Sequence, residues 1–140
     1  MDIRPLDEVL STSPQIAPED LPAIAAQGFR SVISNRPDGE EAGQPSADAL
    51  RRAADAVGLA FAHVPVVGGA ISDQDVAVFS KALAELPQPV FGFCRTGTRT
   101  TTLWALANAA SESPDHLIDR AKTAGYDLGA LRARLEGLAS

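Results

Sequence analysis

Apolar positions along the chain fall into two rhythms. Short apolar runs, Phe29 to Ser34, Leu59 to Val66 and Pro89 to Phe93, alternate with longer stretches of helical character. That alternation predicts an α/β layer architecture. The first helix opens at Ala17-Pro18, where an early proline gives up no amide hydrogen bond. Glu19 and Asp20 follow at the positive end of its dipole, and Gly28 ends it. A strand over Phe29 to Ser34 leads into a loop from Asn35 to Gly43. Ser46 is a cap for a second helix that runs to Val57 and stops at Gly58. Pro65 confines the end of the Leu59 to Val66 strand to an edge or a terminus. Ser72 and Asp75 have the spacing of a capping box that opens a third helix to about Leu86.

Pro89-Val90-Phe91-Gly92-Phe93 is almost wholly apolar, as in a strand buried at the middle of a parallel sheet. Thr100 to Ala110 reads as a helix, and Ser113-Pro114 and Asp127 open two more. No repeat or boundary interrupts the chain, so residues 1–140 read as one domain that includes the helices at about 113–138.

The chemistry is concentrated after the buried strand, in Cys94-Arg95-Thr96-Gly97-Thr98-Arg99-Thr100. A loop that curls over a helix N-terminus at the carboxyl end of a parallel sheet turns successive amide hydrogens inward and makes an anion nest. Gly97 permits the turn and a close approach, and Arg99 supplies a fixed fork of donors. Cys94 stands where these positive contributions meet, so a nucleophilic thiolate is expected there. The plain alternative is a buried packing cysteine, the commonest role of a free thiol. Two arginines and a glycine within five residues are an odd choice for an inert turn.

Neighbouring residues leave alternatives open. Arg36 and Asp38 follow a strand and are candidates for the same crevice, where Arg36 either binds a substrate anion or pairs with Asp38 or Glu40. His63 reads first as a structural histidine. Thr96, Thr98 and Thr100 offer hydroxyls to a thiolate or a bound sulfur, and Arg95 is expected to point outward, where it can recruit an anionic donor. His116 reads as surface and Trp104 as core.

Length and charge narrow the field. At 140 residues the chain can bury an adequate core without staples. The net charge is −6, and of the 12 basic residues only Arg51 and Arg52 are adjacent, which argues against a nucleic-acid partner. A single cysteine excludes an internal disulfide, and with two histidines 53 positions apart (His63 and His116) it makes no metal site. No cofactor fingerprint is present. The run Val57 to Ile71 is too interrupted to span a bilayer, and the N-terminus lacks the basic-then-apolar order of a signal peptide. The expectation is a soluble, cytoplasmic protein with no membrane partner.

The order strand, cysteine, loop, arginine, helix resembles both the cysteine phosphatases and the rhodanese loop. More closely, the chain resembles the phosphatase-like domain of the bacterial beta-lactamase-hydrolase-like proteins. That resemblance rests on Asn35-Arg36-Pro37-Asp38-Gly39-Glu40, His63-Val64-Pro65-Val66, Cys94 to Thr100, and Gly125-Tyr126-Asp127-Leu128. It implies a three-layer, dual-specificity-phosphatase-like fold, with a central, mostly parallel sheet flanked by helices. It further implies Cys94 and Arg99 as catalytic residues, and either phosphatase or sulfur-transfer chemistry linked to sulfide handling.

Four residues separate Cys94 from Arg99 where cysteine phosphatases carry five, and the shorter loop resembles the rhodanese form. No acid lies in Pro65 to Ile71, where a phosphatase of this fold holds the group that protonates its leaving alkoxide. Asp73 and Asp75 read as first-turn helix residues. Both points favour a sulfurtransferase. Cys94 would take a sulfane sulfur from a small anionic donor as a persulfide and pass it to a thiol acceptor, beside a partner enzyme of sulfide metabolism. The alternatives are a phosphatase working through a phosphocysteine and a non-catalytic module that senses sulfide or an anion.

Overall fold

The computed structural model describes residues Met1–Ala139. Five strands form one sheet: β1 (Arg4–Pro5), β2 (Leu10–Ser13), β3 (Ser31–Ser34), β4 (Ala60–His63) and β5 (Val90–Phe93), in the spatial order β1-β2-β5-β3-β4. The last four of these run parallel, and β1 lies antiparallel on the β2 edge. Parallel neighbours need crossovers, and these are α1 (Leu21–Ala26), α2 (Ala47–Ala56) and α3 (Asp73–Glu85). After β5 come α4 (Thr98–Ala107), α5 (Pro114–Thr123) and α6 (Arg132–Leu138).

Alternation along the central strands divides the core in two. Val32, Phe91 and Phe93 face a cluster with Leu21 and Ile24 of α1 and Leu50 and Ala54 of α2. Ile33 and Val90 face the other cluster, with Phe79 of α3, Leu103 and Leu106 of α4, Leu117 of α5 and Leu135 of α6. Phe79, Phe91 and Leu103 are fully buried, and each such side chain is worth about 1.5–3 kcal/mol of transfer free energy. Gly92 sits where α4 crosses the sheet. A Cβ there would lie 2.7 Å from Thr100 Cγ2, so the glycine lets the helix seat close to β5.

Local signals account for most element ends. The Ser46 hydroxyl accepts from Ala49 N, the Ser72 and Asp75 capping box closes reciprocally, and the Ser113 hydroxyl accepts from His116 N. The first helix enters as a 3-10 turn over Pro18–Asp20. β4 stops at His63, three residues before the expected end, because its partner β3 ends at Ser34 in register with it. A 3-10 turn over Gly129–Leu131 precedes α6, which therefore starts later than Asp127.

β1 and β2 have no counterpart in the sequence pattern. Leu10-Ser11-Thr12-Ser13 carries one apolar side chain, yet all four residues are buried. No helix among the described residues is long and apolar enough to cross a membrane.

Candidate active site

Ser13, Phe93, Ser34 and His63 share one register row at the carboxyl edge of the sheet. The loops that follow them therefore lie side by side, in the crevice where parallel α/β sheets gather ligands. Gln15, Arg36, Val66 and Cys94 meet there although up to 79 positions separate them, from Gln15 to Cys94.

In the Cys94 loop one amide, that of Gly97, points at the sulfur, while the carbonyls bond to neighbouring elements. Gly97, at φ +94°, makes the turn and caps α4, and its N–H donates to Cys94 Sγ at 3.1 Å. The carbonyls are held from outside. Phe93 O accepts from Asn35 N (2.9 Å), Arg95 O from Gln15 N (3.1 Å) and Thr96 O from the Tyr126 hydroxyl (2.9 Å). Gly97 O accepts from the hydroxyls of Thr12 (3.1 Å) and Thr101 (2.8 Å). The positive end of α4 points at the same place.

Two guanidiniums stand beside the loop, fixed by carboxylates. Arg99 donates from both terminal nitrogens to Glu40, at 2.8 and 2.9 Å, and from Nη1 to Val66 O at 3.1 Å. Arg36, only 4% exposed, donates to Glu40 (2.9 Å), Glu41 (2.8 Å) and Gln15 (3.0 Å). Arg95 reaches out to Glu41 at 2.9 Å. The Arg99 guanidinium, and then that of Arg36, holds the Glu40 carboxyl down at about 2, against an ordinary 4.5. Arg99 is itself pushed up, first by Glu40 and also by the sulfur of Cys94.

These side chains line a cleft of about 600 Å³, formed by Arg36, Glu40, Glu41, Arg95 and Arg99. Cys94 is 1% exposed and lies behind that wall. Arg99 also borders a second hollow of about 280 Å³, between Gly68 to Ile71, Thr98, Thr102, Leu131 and Arg134.

The remaining sequence candidates have structural partners. Thr100 is fully buried, and its hydroxyl donates to Asn35 Oδ1 at 2.8 Å. The hydroxyls of Thr96 and Thr98 lie 2.9 Å apart at the surface. Asp38 accepts from Ala47 N at the start of α2. His63 donates from Nε2 to Arg36 O at 2.8 Å and so props the loop that carries Arg36. Asp73 pairs with Arg134 and Asp75 caps α3. The carboxylates at the cleft are Glu40 and Glu41. Thr12, Gln15, Glu41 and Tyr126 take part without having been singled out. The Tyr126 neighbourhood appeared only as a family-like tail, and Thr12 and Gln15 belong to the unrecognised β2 and the loop after it.

Comparison with known proteins agrees with this architecture. Residues 2–111 match the family model described as "Beta-lactamase hydrolase-like protein, phosphatase-like domain". A beta-lactamase hydrolase-like protein from Agrobacterium fabrum is 39% identical over 133 residues, 94% of this chain and 31% of the relative. The chain thus spans about a third of the length of that curated relative. The crystal structure of a candidate phosphatase from Neisseria meningitidis superposes with a TM-score of 0.89 at 38% identity, over 99% of each chain. The core catalytic domain of a PP-IP phosphatase from S. cerevisiae shares the fold, with a TM-score of 0.71 at 16% identity over 100% of this chain and 86% of that one. The fold is therefore that of the dual-specificity-like cysteine phosphatases.

The sulfurtransferase and persulfide expectation is overturned by these matches, which are to a phosphatase-like family over residues 2–111 and to a candidate phosphatase structure over 99% of the chain. The expectation went wrong in physical terms by sizing the cradle from the four residues between Cys94 and Arg99. One guanidinium of the cleft comes from another loop, that of Arg36, and it stands beside Arg95 and Arg99 of the Cys94 loop itself. The three guanidiniums outnumber Glu40 and Glu41 by one positive charge, which favours an anion in the cleft.

Proposed function

The chain belongs to the family of beta-lactamase hydrolase-like phosphatase-like domains, and on that premise we propose that it is a cysteine-dependent phosphatase acting on phosphate monoesters. Cys94 Sγ attacks phosphorus and the phosphorus–oxygen ester bond breaks, which leaves a phosphocysteine and an alcohol or phenol. Water then attacks the phosphocysteine, releases inorganic phosphate and regenerates the thiol. The loop amides and the Arg99 fork stabilise the equatorial oxygens, whose charge grows in the transition state. Arg36 and Arg95 draw the dianion into the cleft. Because Cys94 lies behind the wall, Arg99 and Glu40 must shift as substrate seats.

The observation that carries this reading is the convergence of Arg36, Arg95 and Arg99 on one cleft beside a sulfur that already accepts an amide hydrogen bond. Loop Val66 to Ile71 brings no acid. Substrates whose leaving oxygen needs little protonation, aryl phosphates above all, fit the site best. Steady-state release of phosphate from p-nitrophenyl phosphate tests the proposal. Wild type turns over and Cys94→Ser does not; equal rates in the two proteins would remove the nucleophile from the account.

A further inference from the structure

Tyr126 lies in the turn between α5 and α6, outside the residues 2–111 that match the family model. Its hydroxyl donates to Thr96 O at 2.9 Å, 30 positions back along the chain. The peptide between Thr96 and Gly97 is trans, and a trans peptide holds its C=O and its N–H on opposite sides of one plane. The N–H of that same plane is the one that donates to Cys94 Sγ at 3.1 Å. We infer that Tyr126 is a positioning residue: by fixing the Thr96 carbonyl outward it aims the Gly97 amide at the nucleophile.

The alternative orientation of this plane is easy for the backbone at Gly97, because glycine tolerates either sign of φ. A flipped plane would point a carbonyl oxygen at Cys94 and turn the amide away. It would repel a thiolate and a bound anion alike. The loop thus needs an external lock, and Tyr126 supplies one: a flip of the plane would break its bond to Thr96 O together with the bond from Gly97 N to Cys94 Sγ.

The lock is itself braced. The Arg4 guanidinium lies 5.1 Å from the centre of the Tyr126 ring and donates to Ala124 O at 3.3 Å, which ties the first strand to the turn. Burial pushes the Tyr126 hydroxyl above its usual range, so it stays a donor at neutral pH. A Cβ at Gly97 would collide with the Tyr126 hydroxyl, which shows how closely the ring is seated on the loop.

The inference deepens the reading of the Cys94 loop as an anion cradle and is tested apart from turnover. In Tyr126→Phe the ring, its packing and its contact with Arg4 remain, and only the hydroxyl is lost. Alkylation of Cys94 by iodoacetamide at pH 7 is expected to slow by about three- to tenfold, the worth of one hydrogen bond of about 1 kcal/mol. The kcat for p-nitrophenyl phosphate is expected to fall with it, while KM stays near wild type and urea unfolding shows no more than the loss of that one hydrogen bond. Arg4→Ala, which keeps the hydroxyl but loosens the ring, is expected to show a smaller loss of the same kind. Slower alkylation in a protein that hydrolyses no phosphate ester would support the lock and count against the phosphatase. Wild-type alkylation in Tyr126→Phe would overturn the lock, whatever the turnover.

Discussion

Glu40 orients two of the three arginines of the cleft, Arg36 and Arg99, and its removal has a calculable signature. The perturbation is Glu40→Gln, which keeps the shape and deletes the charge that accepts from Arg99 at 2.8 and 2.9 Å and from Arg36 at 2.9 Å. In the folded protein the carboxyl sits at about 2, against 4.5 when unpaired, with Arg99 the larger cause and Arg36 the next favourable one. A carboxylate depressed on folding adds stability that is fully present above its unfolded value. That stability is lost as pH falls from about 4.5 towards about 2. The full difference sets a ceiling of about 3 kcal/mol. Because the Glu40 side chain is 29% exposed, solvent screening brings the expectation down to about 1–2 kcal/mol.

Urea unfolding of both proteins at pH 7 and at about pH 3.5 reads this directly. Wild type is expected to be more stable by about 1–2 kcal/mol at pH 7, with roughly two fifths of that gap gone at about pH 3.5. Other titrating groups cancel in the difference between the two proteins. A gap that is the same at both pH values, or a Gln variant as stable as wild type at pH 7, would refute the ion-pair account.

Three further outcomes follow from the same geometry. Arg99→Lys keeps a charge but loses the two-pronged donation, so kcat/KM for p-nitrophenyl phosphate is expected to fall by about 10²–10³-fold. Gly97→Ala forces φ +94° on a residue with a Cβ that meets Tyr126 and Thr12, so urea unfolding is expected to show a loss of at least about 1–3 kcal/mol. With no acid on loop Val66 to Ile71, rates across a series of phosphate esters should drop steeply as the leaving group becomes more basic. Alkyl phosphates are expected to lag by at least the about 10²–10⁴-fold that an acid would recover, and a flat series would reveal an acid.

Much of this site was legible in the sequence wherever chemistry and position coincided. Pro89 to Phe93 announced a central strand by being apolar throughout, and the cysteine, glycine and arginine after it announced the loop. The Ser46, Ser72 and Ser113 caps placed three helix starts correctly. β2 stayed hidden because Ser11, Thr12 and Ser13 are polar residues in a buried strand, and the Thr12 and Ser13 hydroxyls bond Gly97 O and Pro14 O rather than water. Loop length misled on substrate, since it counts amides within six residues and says nothing of the Arg36 guanidinium brought in by a neighbouring loop. Glu40 was visible only as a surface partner for Arg36; its bond to Arg99 spans 59 positions and exists only after the sheet aligns the loops.

Trapping the covalent intermediate tests the central claim most directly. Wild-type protein turning over p-nitrophenyl phosphate is quenched in acid within the first turnover and its intact mass is measured, with peptide mapping of the adduct. The account predicts one phosphoryl group on Cys94 in wild type and none in Cys94→Ser. Phosphate release with no adduct on Cys94 at any quench time would contradict it.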